Sequence, residues 1–156
     1  MKTSGILLIV NTVLLIVIWA FIGIKYTELP EIIPTHFDFR GNVDGESGKS
    51  SIWILPCIAT FISLLFSILS KNPDSPLLNV PQSFRNKKTI DLYMQSLLFP
   101  IMLLFLDITV ESILVAQGKQ KELSNAVFYI LGLLFIVIGV AFVKGFQQGK
   151  TQKSDK

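Results

Sequence analysis

The side chains able to do chemistry fall in two clusters. Residues 36–49 hold the single histidine, His36, with Asp38, Arg40, Asp44, Glu46 and Lys49. An imidazole among carboxylates and cations can exchange protons, ligate a metal, pair internally or contact a charged ligand. One histidine at a spacing that matches no defined metal motif points away from metal, and no cofactor is expected. Gly48-Lys49-Ser50 ends like a phosphate-binding loop, but its first glycine would fall at Val43, and no buried strand precedes it. No nucleophile–base pair is visible, so an enzyme is not expected. The single cysteine, Cys57, forms no intrachain disulfide and no thiolate zinc site.

The second cluster lies in apolar surroundings. At about 100° per residue, Ser96, Pro100, Asp107 and Glu111 share one stripe of a helix over 92–116. Two carboxylates one turn apart repel, and a shared proton would make them a proton or cation site. Alternatively both reach a hydrated vestibule, or pair with Arg40, Lys49 or Lys119 folded over them. A relay needs successive stations, and no other apolar stretch carries a charge. Pro100 cannot donate to the carbonyl of Ser96, which predicts a kink and a free oxygen. Asn11, at a comparable depth in another stretch, is expected to satisfy it.

These residues need elements to hold them, and composition says which. Of 156 residues, 51% are hydrophobic and 16% charged, against roughly 25% charged in soluble proteins. Four stretches, 5–24, 51–70, 92–116 and 125–143, hold only Asp107 and Glu111 among charged residues. This segregation excludes a soluble globular enzyme, a disordered protein and a disulfide scaffold. It predicts an all-α membrane protein, a bundle of four transmembrane helices forming one membrane domain over 1–156. Each stretch has the ~20 residues that span ~30 Å of hydrocarbon. The first reads as a retained anchor, because Trp19-Ala20-Phe21 offers no small-residue cleavage site. Pro56 suits the first turn of the second helix, with Ser50 or Ser51 capping, and Thr60, Ser63 and Ser67 suit interhelical hydrogen bonds. Gly132 and Gly139 suit close packing of the fourth helix, with Asn125 as its N-cap beside Ser124.

Orientation follows from lysine and arginine. One side carries Lys2, Lys71, Arg85, Lys87, Lys88, Lys144, Lys150, Lys153 and Lys156; the other carries Lys25, Arg40, Lys49, Lys119 and Lys121. Nine against five puts both termini in the cytoplasm, with 71–91 a cytoplasmic loop and 144–156 a cytoplasmic tail that is expected to fray over 147–153. The net charge of +3 is explained by topology and anionic membrane lipids, with no nucleic acid partner.

Residues 25–50 then face outward. Pro30 and Pro34 push Leu29 and Ile33 into extended geometry. From Thr35 to Arg40 the types alternate, placing His36, Asp38 and Arg40 on one face of a short strand and Phe37 and Phe39 toward the bundle. Gly41-Asn42 and Asp44-Gly45 are turn chemistry. His36, Asp38, Arg40 and Asp44 form the candidate ligand-binding face, with Lys49 holding the loop to the membrane surface. Protonation of the imidazole would make such binding pH-sensitive.

The run LPEIIPTHFDFRGNVDGESGKS resembles the signature of a bacterial membrane family, domain of unknown function 1648. Leu29, Pro30, Ile33, Pro34, His36, Phe37, Asp38, Gly41, Asp44 and Lys49 match it, and Asn72-Pro73 and Asn79-Val80-Pro81 resemble its later Asn-Pro and Asn-x-Pro. The same domain opens immunity proteins that protect bacteria against the Sdp peptide toxin, some of which hold a transcription repressor at the membrane. Their second membrane half is not expected in this chain, and Glu46 stands where an aromatic residue is frequent. The resemblance implies a bacterial inner-membrane protein, receptor or immunity-like, whose outer loop meets a peptide toxin or envelope component. Two other functions compete with it: a small proton- or cation-coupled transporter using Asp107 and Glu111, and an accessory subunit with a membrane protein partner.

Overall fold

The computed structural model describes residues 3–80 and 84–154, with side chains of the last helix described to Val143. Lys2, Pro81 and the side chains of the tail lysines lie outside the described residues. Four helices dominate: α1 (Thr3–Lys25), α2 (Ile54–Lys71), α3 (Lys87–Ala116) and α4 (Ala126–Ser154). All four are long and apolar enough to cross a membrane. Two strands, β1 (Ile32–Phe37) and β2 (Val43–Gly48), form an antiparallel hairpin between α1 and α2.

Local chemistry sets the boundaries. A 3-10 turn over Tyr26–Glu28 ends α1, and Pro30 forbids helical geometry just beyond. Another 3-10 turn, Lys49–Trp53, leads into α2 without a side-chain cap. The expected serine cap is therefore absent, and Ser51 Oγ donates backward to the Gly48 carbonyl at 2.8 Å. Asn86 caps α3, accepting from the Thr89 N–H at 2.9 Å. Gly118 ends it with φ of +67°, where the Lys119 N–H closes back on the Leu114 carbonyl at 2.9 Å. At α4 Asn125 immediately precedes the first helical residue and its carbonyl accepts from the Phe128 N–H at 3.1 Å, while the neighbouring Ser124 hydroxyl accepts from the Ala126 N–H at 3.1 Å.

α3 is the axis of the fold. It packs along α1, α2 and α4 and touches β1, whereas α4 packs along α3 without comparable contact to α1 or α2. Ile18 and Ile22 of α1, Ala59 of α2, and Leu98, Met102 and Ile113 of α3 build the main core, which Leu29 and Ile33 close beneath the hairpin. Leu69, Leu78, Ile90 and Met94 form a second cluster at the opposite end. Trp19 of α1 reaches α2 by donating to Thr60 Oγ1 at 3.0 Å.

Three expectations need correction. Gly132 and Gly139 lie on the exposed side of α4, and a Cβ at either would meet open space, so larger side chains of α4 make its contact with α3. The tail expected to fray over 147–153 has a helical backbone, because α4 continues to Ser154. The single strand expected to Arg40 is a two-stranded hairpin whose first strand stops at Phe37.

Candidate functional site

The hairpin is tied at both ends. At its base the Lys49 N–H donates to the Glu31 carbonyl at 2.9 Å, and Lys49 Nζ meets Glu31 Oε1 at 2.8 Å. Lys49 also sits 5.7 Å from the Tyr26 ring centroid, so it ties the base of the hairpin to the turn that ends α1. Ile33 and Pro34 are buried against the bundle.

At the tip Asp38 does the work. Its Oδ1 accepts from the N–H groups of Arg40 and Asn42 at 2.8 and 2.9 Å, and Oδ2 accepts from the Asn42 side-chain amide at 3.0 Å. The Asn42 amide foremost, joined by those backbone donors, holds the Asp38 carboxyl below the usual carboxylate range. Gly41 adopts φ of +86°, a left-handed conformation that suits a residue without Cβ. Its carbonyl accepts from the Leu123 N–H at 2.9 Å, and a Cβ here would lie 2.7 Å from the Leu123 oxygen. The tip thus clasps the loop leading into α4.

Between base and tip the pairing slips twice. Pro34 pairs with Glu46, His36 with Gly45 and Phe37 with Val43, so Thr35 and Asp44 have no opposite partner. Pro34 lacks the N–H that a regular ladder needs. The slip sets His36 Nδ1 in hydrogen-bonding contact with Asp44 Oδ1. Gly45 permits it, since a Cβ there would come within 2.9 Å of His36 Cβ. A carboxylate on Nδ1 fixes the ring and leaves Nε2 directed elsewhere. The His36 side chain is 74% exposed.

The expected binding face is therefore divided. His36 and Asp44 form one exposed unit, Asp38 is spent on the turn, and Lys49 on the base. Arg40 lies 5.4 Å from the Phe39 ring centroid. Phe39 is 79% exposed and does not face the bundle as expected, because the chain turns at Asp38 and alternation ends.

The residues expected inside the membrane separate similarly. Asn11 is buried and donates to Gln95, at 3.1 Å to its carbonyl and 3.0 Å to Oε1. The partner helix is the expected one, but the oxygen belongs to Gln95, one residue before Ser96. Gln95 was missed for want of any signal beyond its position in the apolar stretch. Ser96 lines a groove between α3 and α4. Glu111 Oε2 accepts from the Ser124 N–H at 2.8 Å, and no described ion pair joins Asp107 or Glu111 to Arg40, Lys49 or Lys119. Asp107 Oδ2 is buried and accepts no hydrogen bond from the described residues.

This hairpin, with the second half of α1 before it and the start of α2 after it, coincides with a known family signature. Residues 13–60 match the family described as domain of unknown function, DUF1648. An archaeal relative from Archaeoglobus fulgidus, described as an uncharacterized protein, is 27% identical over 90 residues. The match takes in 54% of this chain and 49% of that protein, so the chain spans about half the length of the curated relative it matches. No solved structure matches the chain.

Proposed function

We propose that this is a multi-pass protein of the bacterial inner membrane that recognises a peptide or envelope component through its hairpin, as a receptor or immunity-like protein. Four apolar helices support membrane residence. The lysine and arginine asymmetry supports cytoplasmic termini and an outward-facing hairpin.

The observation that carries the reading is the exposed His36–Asp44 pair on a hairpin fixed at base and tip. Rigidity of this kind lowers the ordering cost of binding. The oriented imidazole offers Nε2 to a polar group of the ligand, and Arg40 beside Phe39 offers charge and an apolar surface together.

The test is survival and membrane potential of a sensitive bacterium expressing the chain, challenged with a membrane-disrupting peptide of the Sdp type. Protection lost in His36→Ala at unchanged expression is the expected result. Absence of protection by the unaltered chain, at full expression, removes the immunity reading and favours the accessory subunit, whose partner would co-purify in fixed ratio.

A second reading, proton- or cation-coupled transport, is favoured by the unpartnered Asp107 oxygen one turn from Glu111. It requires proton flux in proteoliposomes that Asp107→Asn abolishes.

A further inference from the structure

A cleft of about 620 Å³ opens at the end of the bundle opposite the hairpin, between the first turns of α1 and α3 and the last turn of α2. Lys71, Lys87 and Lys88 line it with Asp91, Thr3 and Ser4. None of the three lysines, nor Asp91, is in an ion pair among the described residues. Three cations against one carboxylate leave the cleft positive. The amino ends of α1 and α3 add to that sign, and the carboxyl end of α2 offsets it only in part.

The cleft does not stop at the charges. Leu8 and Leu92 also line it, both substantially exposed. Leu92 is shared with a second groove of about 260 Å³ between α3 and α4, where Tyr93, Ile136 and Val140 make an apolar wall. A polar cleft and an apolar groove thus adjoin along the side of the bundle, with Leu92 as their common wall.

We propose that these adjoining sites bind one anionic phospholipid whose headgroup carries hydroxyls. The lysines take the phosphate as mobile point charges. Asp91 would repel a bare phosphate but accepts hydrogen bonds from headgroup hydroxyls. The α3–α4 groove takes an acyl chain. Basic pockets between membrane helices on the cytoplasmic side hold lipid headgroups in this manner. The proposal rests on the membrane residence of the chain and is independent of recognition at the hairpin, so loss of either leaves the other standing.

The experiment uses the full chain in neutral detergent, with phosphatidylglycerol, phosphatidic acid, phosphatidylcholine or sodium phosphate added at equal concentration. Native mass spectrometry reads retention, and thermal unfolding reads stabilisation. Phosphatidylglycerol is expected to be retained and to raise Tm, while phosphatidylcholine and free phosphate do neither. At about fivefold per lysine, Lys87→Gln with Lys88→Gln weakens phosphatidylglycerol binding about 25-fold. Lys87→Arg with Lys88→Arg retains it, as does the pair Lys119→Gln and Lys121→Gln at the hairpin end. The unaltered chain prefers phosphatidylglycerol to phosphatidic acid, and Asp91→Asn erases that preference. Equal binding of phosphatidylcholine, a full effect from phosphate alone, unchanged binding in the double glutamine variant, or lost binding in the arginine variant overturns the proposal.

Discussion

α3 and α4 are both long enough and apolar enough to cross a membrane, yet they occupy opposite situations. α3 buries ten residues, among them Gln95, Thr109, Glu111 and Ser112. In α4 no described residue is buried, and Phe128, Tyr129, Phe135 and Ile136 are all exposed. Hydropathy cannot tell these helices apart, because lipid and protein interior are equally apolar. Polar residues can. A helix that carries amides and carboxylates needs protein around it, and α3 takes the central place where α1, α2 and α4 supply that surrounding.

The sharpest way to break this comparison is a matched pair of truncations. Met102 is fully buried in α3, whereas Ile136 of α4 is 63% exposed. Met102→Ala should cost about 2–3 kcal/mol, mainly as a cavity that neighbours cannot fill. Ile136→Ala should cost under ~0.5 kcal/mol, as for surface positions. Reversible unfolding in mixed micelles measures both. Equal losses would mean that α4 is packed as tightly as α3.

The four helices were legible because charge is excluded from four stretches, a signal that survives any detail of packing. The stripe containing Ser96 and Glu111 was also legible from helical periodicity, and both residues face toward α4 or the loop before it. What those side chains touch was not. Asn11 meets Gln95 instead of the carbonyl freed by Pro100, a difference of one residue that depends on how α1 and α3 are rotated. In the hairpin, β2 escaped notice because Val43-Asp44-Gly45-Glu46-Ser47-Gly48 is poor in strand-forming types. Its role rests on the partner strand and on Gly45 making room for His36. Asp38 read as a binding residue from its type, whereas its three hydrogen bonds show a turn former. Aspartate two residues before a turn's central N–H groups carries that signal.

A smaller effect sharpens how α4 is attached. Glu111 reaches across to the Ser124 N–H at 2.8 Å, so α3 holds the beginning of α4 through a carboxylate on a backbone donor. Glu111→Ala leaves that N–H without its partner and should cost about 1–2 kcal/mol. The loss should be local. Amide exchange of residues 123–128 should accelerate, while residues 98–106 at the centre of α3 keep their protection. Uniform acceleration along both helices would make α4 an integral part of the core.

The smallest expected effect concerns the other clasp on the same loop. Gly41 accepts from the Leu123 N–H at 2.9 Å, and the turn presenting that carbonyl is built on ionised Asp38. Because the folded carboxyl titrates below its ordinary value, its contribution is fully present above the usual aspartate range, near pH 4. It fades as pH falls through the lowered folded value. Acid should therefore release the tip from the loop before it disturbs the helices. Exchange at Leu123 and Asn42 should rise relative to neutral pH once the medium falls below about pH 4. Asp38→Asn should remove this acid step and show faster exchange at every pH, since a neutral amide is a weaker acceptor for the two backbone donors. An acid step that persists in Asp38→Asn would mean that the clasp does not depend on the Asp38 carboxylate.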